Sequence, residues 1–172
     1  MYKRILVFAA LAMLLSCIGS AQPLTIEKEM LVGTWKLVSA SNVTDKGAVN
    51  DAPYGRNPIG LLTYTADGRM MAIITDGGRK LLSTYWRVAP ADEKAGAFST
   101  SLSYAGTFTV SGGNRVIHHV EVSSDPNRVN TDLVRVVVKI EGGRVTLRTA
   151  NSLVWDDGLR YAYQELVWDR VK

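Results

Sequence analysis

Four glycine-bearing tips govern what this chain can fold into. Asp67-Gly68, Gly112-Gly113, Gly142-Gly143 and Asp157-Gly158 each separate two short runs in which apolar and polar residues alternate. Such tips between alternating runs are the strongest local signal for a β-hairpin, because glycine and aspartate accept the backbone angles that a tight turn demands. We read eight main strands, at approximately 32–42, 59–65, 69–75, 102–111, 115–123, 133–141, 144–154 and 160–170. Consecutive hairpins joined this way give an all-β chain. The expected form is an eight-stranded antiparallel up-and-down β-barrel, whose interior is either filled by side chains or holds one small ligand.

Between the strands the rhythm breaks twice. Residues 43–58 are polar and carry Gly47, Pro53, Gly55 and Pro58, the composition of a loop. Residues 76–101 contain Pro90, Asp92 and Glu93 ahead of Lys94, which suits the start of a helix. A short helix or lid near residues 90–98 follows. Nearly half of the residues are apolar and 21% are charged, as in a globular domain. The net charge of +4 is scattered rather than gathered into a basic stripe with aromatics, which argues against nucleic acid as a partner.

The N-terminus has the order of an export signal. Lys3 and Arg4 precede an apolar stretch from Ile5 to Leu15, and Gly19-Ser20-Ala21 offers a small-residue cleavage site before Gln22. Eleven apolar residues are too few for a spanning helix. We therefore assign 1–21 to an export signal and 30–172 to the folded domain, located in the periplasm or secreted. Leu14-Leu15-Ser16-Cys17 also resembles a bacterial lipobox, so the leader could instead end in a lipidated Cys17. That anchor, on an envelope lipoprotein, would be the domain's one tie to a membrane. Cys17 is the sole cysteine, which leaves the domain without a disulfide, a thiol nucleophile or a cysteine metal site.

Turn geometry and hydrophobic phase can be tested against each other, since a one-residue slip exchanges the faces of a strand. A two-residue turn at Asp67-Gly68 pairs Tyr64 with Met71 and Leu62 with Ile73. At Gly142-Gly143 it pairs Ile140 with Val145, Val138 with Leu147 and Val136 with Thr149, leaving Arg135, Lys139 and Arg148 for solvent. An odd loop at Gly112-Gly113-Asn114 sets Val110 opposite Val116 and Phe108 opposite His118. Around Asp157-Gly158 the pairs become Leu153 with Ala162, Asn151 with Gln164, Thr149 with Leu166 and Leu147 with Trp168. The expected interior is then apolar, with a few polar tips.

Residues spread over essentially 30–171 resemble the lipocalins, and more closely the bacterial lipocalin-like domains. Gly33-Thr34-Trp35 resembles their opening Gly-x-Trp motif, and Trp168-Asp169-Arg170 supplies the arginine that lies across that tryptophan. Pro58-x-Gly60-x-Leu62-x-Tyr64 followed by Asp67-Gly68-Arg69-Met70 looks like the group's second hairpin, and Ser103 to Phe108, His118-His119-Val120 and Ser123-x-x-Pro126-Asn127 look like its middle. Where the group tends to read Pro-Asn-Trp-x-Gly-Thr, this chain has Pro126-Asn127-Arg128-Val129-Asn130-Thr131. The resemblance implies a small-molecule-binding barrel in which Gly33, Trp35 and Arg170 are structural.

Tyr64, Tyr104, Phe108, His118, Asn151 and Gln164 are the candidate ligand-binding residues, because they place polar tips in an apolar interior. His118 is either a satisfied core histidine or an anchor for a ligand carbonyl or carboxylate. Asn151 and Gln164 either bond each other or meet a ligand. His119 alternates outward, and adjacent histidines on a strand cannot share one metal. We find no catalytic motif, and expect neither metal nor cofactor. The reading is a non-enzymatic barrel for a small, largely hydrophobic ligand. The alternatives are an isomerase- or cyclase-like enzyme using His118 and Tyr104, and a ligand-free envelope interaction module. Intact-mass measurement of envelope fractions checks the leader: the mature chain should lack residues 1–21, or lack 1–16 and carry lipid on Cys17. A full-length protein retaining Met1 would refute both forms.

Overall fold

The computed structural model describes residues 24–47, 49–50, 54–149, 153–154 and 160–172. The leader with Cys17, Asn151 and the Asp157-Gly158 tip lie outside the described residues. After a single helical turn, α1 (Lys28–Leu31), the chain runs through β1 (Gly33–Thr44), β2 (Val49–Asn50), β3 (Pro58–Tyr64), β4 (Arg69–Asp76), α2 (Ala91–Ser99), β5 (Ser101–Ser111), β6 (Arg115–Ser123), a 3-10 turn (Pro126–Arg128), β7 (Asp132–Glu141), β8 (Arg144–Thr149), β9 (Leu153–Val154) and β10 (Arg160–Arg170). The long strands pair antiparallel in sequence order, and β10 returns to pair with β1 from Trp35↔Arg170 to Thr44↔Tyr161. The result is a closed eight-stranded up-and-down barrel, flanked by the two-residue strands β2 and β9. β2 folds back on β1 within the segment expected to be all loop, with Val49 opposite Val43.

The hairpin at Gly112-Gly113 has the expected register, with Val110 opposite Val116 and Phe108 opposite His118. The other tips depart from it in instructive ways. At Asp67-Gly68 the Thr65 N–H donates to the Arg69 carbonyl at 2.9 Å and the Gly68 N–H to the Thr65 carbonyl at 3.0 Å. The loop thus has three residues, closed by Gly68 at φ +93°, a left-handed position that glycine takes without strain. Tyr64 therefore pairs with Met70 and Leu62 with Ala72. Met70, Ala72 and Ile74 point inward, while Met71 and Ile73, expected inside, are 57% and 45% exposed.

Next to the Gly142-Gly143 tip β7 is in register, with Ile140 opposite Val145 and Lys139 opposite Thr146. A bulge at Val138 then sets Val137 opposite Leu147, Val136 opposite Arg148 and Arg135 opposite Thr149. An extra residue in one strand exchanges faces beyond the bulge. Val137 is buried, Val138 is exposed, and Arg135, expected in solvent, moves to the inner face together with Leu133. β8 meets β10 with Leu147 opposite Leu166 and Val145 opposite Trp168, two residues from expectation. A slip of two preserves the faces, so Leu147, Leu166 and Trp168 are all buried. Of the strand expected over 144–154, Arg144–Thr149 is β8 and Leu153–Val154 is β9, residues 150–152 lie outside the described residues, and Leu153 pairs with Tyr161 rather than Ala162. α2 matches the expected short helix and buries none of its residues.

One end of the barrel is sealed. Trp35 is fully buried, and its indole N–H donates to the Leu31 carbonyl at 2.8 Å. The Arg170 guanidinium lies over its ring, 4.1 Å from the centroid, and donates to the Met30 carbonyl at 2.7 Å and to the Val32 carbonyl. Gly33 adopts φ +135°, and a Cβ there would sit 2.5 Å from the Arg170 Nη1. The Gly-x-Trp spacing is thus the footprint of the arginine passing overhead. Arg170→Ala should lower stability by about 1–3 kcal/mol, from the lost stacking and hydrogen bonds. Gly33→Ala should also destabilise, by displacing the same guanidinium. Urea titration of both variants measures these losses, and an unchanged midpoint for Arg170→Ala would show that the floor does not need it.

Candidate functional site

Register brings three polar side chains together inside the barrel. Tyr64 ends β3 at the sealed floor, His118 lies midway along β6, and Tyr104 faces in from the opposite, mouth-side part of β5. The His118 ring is 1% exposed. Its Nε2 is 2.6 Å from the Tyr64 hydroxyl and its Nδ1 is 3.0 Å from the Tyr104 hydroxyl. Phe108, directly opposite His118 on β5, packs on the Tyr64 ring with centroids 4.6 Å apart.

Burial pushes His118 well below its ordinary range, and the Arg135 guanidinium and then His119 push the same way. Burial likewise lifts the Tyr64 phenol well above its usual value. The His118 ring and the Tyr64 phenol are therefore neutral at physiological pH. A neutral imidazole carries one N–H donor and one acceptor nitrogen, so one phenol must donate to it and the other must accept from it.

The bulge in β7 supplies the charge. Arg135 stands between Val116 and Thr149 on the inner face and lines the same space as Tyr104, His118 and Leu147. Among the described residues its guanidinium makes one hydrogen bond, from Nη1 to the carbonyl of its neighbour Val134, at 3.2 Å. Nearer the mouth, Gln164 donates from Nε2 to Asn42 Oδ1 at 3.0 Å, and the Tyr54 hydroxyl donates to Gln164 Oε1 at 3.4 Å. Gln164 was expected to meet Asn151, which lies outside the described residues. His119 points outward, 2.7 Å from Asp132 and 2.9 Å from the Thr109 hydroxyl.

Arg135, Asn42 and Tyr54 are residues that hydrophobic phase does not reveal. Arg135 is turned in by the bulge at Val138. Asn42 comes into phase only after a register shift between Leu37 and Ser39. Tyr54 sits in a loop, where periodicity has no meaning. Trp168 was read as inward, but its indole N–H is buried with no partner among the described residues.

Leu62, Ile74, Leu147 and Leu166 form the apolar wall around these groups. The free space they enclose is about 20 Å³, room for one water molecule. Two larger concavities, of about 280 and 320 Å³, lie on the outer surface, beside α2 and across β4–β6. The carboxylates of the first are already engaged, Glu93 by the Ser83 N–H and Asp76 by the Gly78 N–H. The second is mostly strand backbone and apolar side chains. The barrel interior is where titratable groups converge. Among the described residues no three His, Cys, Asp or Glu side chains cluster as metal ligands do.

A closed antiparallel barrel of eight strands, sealed at one end by an arginine over a tryptophan, has the architecture of the lipocalin class of small-molecule binders. The family model for the lipocalin-like domain matches residues 32–171, and the chain belongs to that family. A search of curated proteins finds no match to it.

The neutral His118 has a consequence for stability. The unfolded ring takes up a proton near its ordinary value of 6.5, whereas the folded ring resists protonation until well below that. Between those points the unfolded state binds more protons, so stability is lost as pH falls below about 6.5. From pH 7.5 to 5.5 the parent protein should lose about 1.4 kcal/mol more than His118→Gln. Urea titrations at both pH values measure the difference, and equal losses would mean that the folded ring protonates as readily as the unfolded one.

Proposed function

We propose that this protein binds a small, largely apolar molecule inside the barrel, with the ligand's polar end at Tyr104 and His118. The observation that carries the reading is the convergence of His118, Tyr104 and Arg135 within a wall that is otherwise apolar except for Tyr54 and Gln164 nearer the mouth. A few fixed polar groups in an apolar enclosure are what orient a small ligand. The enclosed space is small, so the ligand body must lie toward the mouth and displace the half-buried rim residues Tyr54 and Leu102. Export is part of the proposal and rests on residues 1–21 alone.

The tightness of the interior favours a second reading, a ligand-free barrel that acts through its outer surface. Its candidate face is the exposed apolar strip in which Leu61 stands opposite Ile73 and Met71 opposite Ala105. Native mass spectrometry of protein purified from its own host separates the two. The first reading expects a retained small molecule that His118→Phe loses and His119→Ala keeps. Protein that carries nothing, and binds no apolar dye in competition with a host lipid extract, would favour the second.

A further inference from the structure

We propose that the head group this barrel selects is a carboxylate, received between the Tyr104 hydroxyl and the Arg135 guanidinium. The proposal rests on the binding reading above and narrows its ligand to a class.

The argument begins with a count of protons. Tyr64 and Tyr104 bring two O–H groups and neutral His118 brings one N–H, three donors for the two contacts they share. One phenol proton is therefore left over, whichever tautomer the ring adopts. Tyr64 is enclosed by Phe108 and His118 at the floor and does not line the free space. An O–H stranded there would carry a desolvation cost of about 1–3 kcal/mol. Tyr64 therefore donates to Nε2, Nδ1–H donates to the Tyr104 oxygen, and the surplus proton is the one on Tyr104, which does line the space. This assigns the tautomer from the network, since hydrogens are placed by their partners.

Among the described residues the surroundings add a further donor. The Trp168 N–H is buried without a partner among the described residues. The Gln164 carbonyl already accepts from Tyr54. Arg135 is the decisive member. On the outer face Arg69, Arg144 and Arg148 each hold a carboxylate, of Glu121, Asp169 and Glu165. Arg135 has none among the described residues, although it is half-buried and lines the same space as Leu62, Leu147 and Leu166. A phenol O–H and a guanidinium fork that line one space are complementary to a group that only accepts and carries negative charge. The free space admits a group near the size of one water, which favours a planar carboxylate over a tetrahedral phosphate. The acid enters head first, and its apolar body stays toward Leu102 and Tyr54.

The test is calorimetric titration of the full chain at pH 7.5 with octanoate, 1-octanol and octyl phosphate. Octanoate should bind at least tenfold more tightly than either of the others. Arg135→Gln should abolish that preference while leaving octanol binding as it was, and Tyr104→Phe should weaken octanoate severalfold. Equal binding of octanoate and octanol to the parent protein, which needs no variant to fold, would overturn the carboxylate assignment and leave the apolar-binding reading standing. Stronger binding of octyl phosphate would overturn it in favour of a larger anion. Failure of all three to bind folded protein would overturn the binding reading itself, and this inference with it.

Discussion

Closure of β10 onto β1 is the constraint on which everything else depends. An open sheet of eight strands would present two edges of unpaired N–H and C=O groups, and only full closure removes both. Here the two edge strands pair along almost their whole length, from Trp35↔Arg170 at the floor to Thr44↔Tyr161 at the mouth. The stack of Arg170 on Trp35 stands at the first pair of that seam. The same guanidinium reaches the Met30 and Val32 carbonyls and so draws the entering chain across the floor. Closing the sheet and plugging its end are thus performed by one side chain.

Inside, the polar groups divide into those without charge and one with it. Tyr64, His118 and Tyr104 form a chain from floor to mouth that buries an imidazole without ionising it. Asn42, Gln164 and Tyr54 form a second neutral group near the mouth. Arg135 is the charged side chain lining the space, and its field adds to burial in keeping His118 uncharged. A neutral relay next to a cation passes donors, not positive charge, toward the mouth.

Much of this was legible in the residue order, for identifiable reasons. The Gly112-Gly113 tip placed Phe108 opposite His118 because the strand beyond it stays regular for several residues. The Gly-x-Trp opening and the closing arginine announced the floor because they are fixed by direct contact. Met71 and Ile73 were misplaced because Asp67-Gly68 closes a three-residue loop, and both faces of β4 are apolar enough to accept either register. Arg135 and Asn42 were out of reach because each lies beyond a bulge, and an added residue in one strand leaves no mark in hydrophobic periodicity. The candidate site was therefore read by its neutral half and missed by its charged half.

The bulge at Val138 has a meaning beyond local geometry. β7 reads Leu133-Val134-Arg135-Val136-Val137-Val138, and either alternating set of three could face inward. One set is Leu, Arg, Val and the other is three valines. Were the same extra residue absorbed on the mouth side of Arg135, the valine set would line the interior and the guanidinium would stand in water, with no substitution anywhere in the chain. The strand thus encodes two chemically different interiors in one string of residues. Which of them a ligand meets is decided by where the backbone miscounts by one.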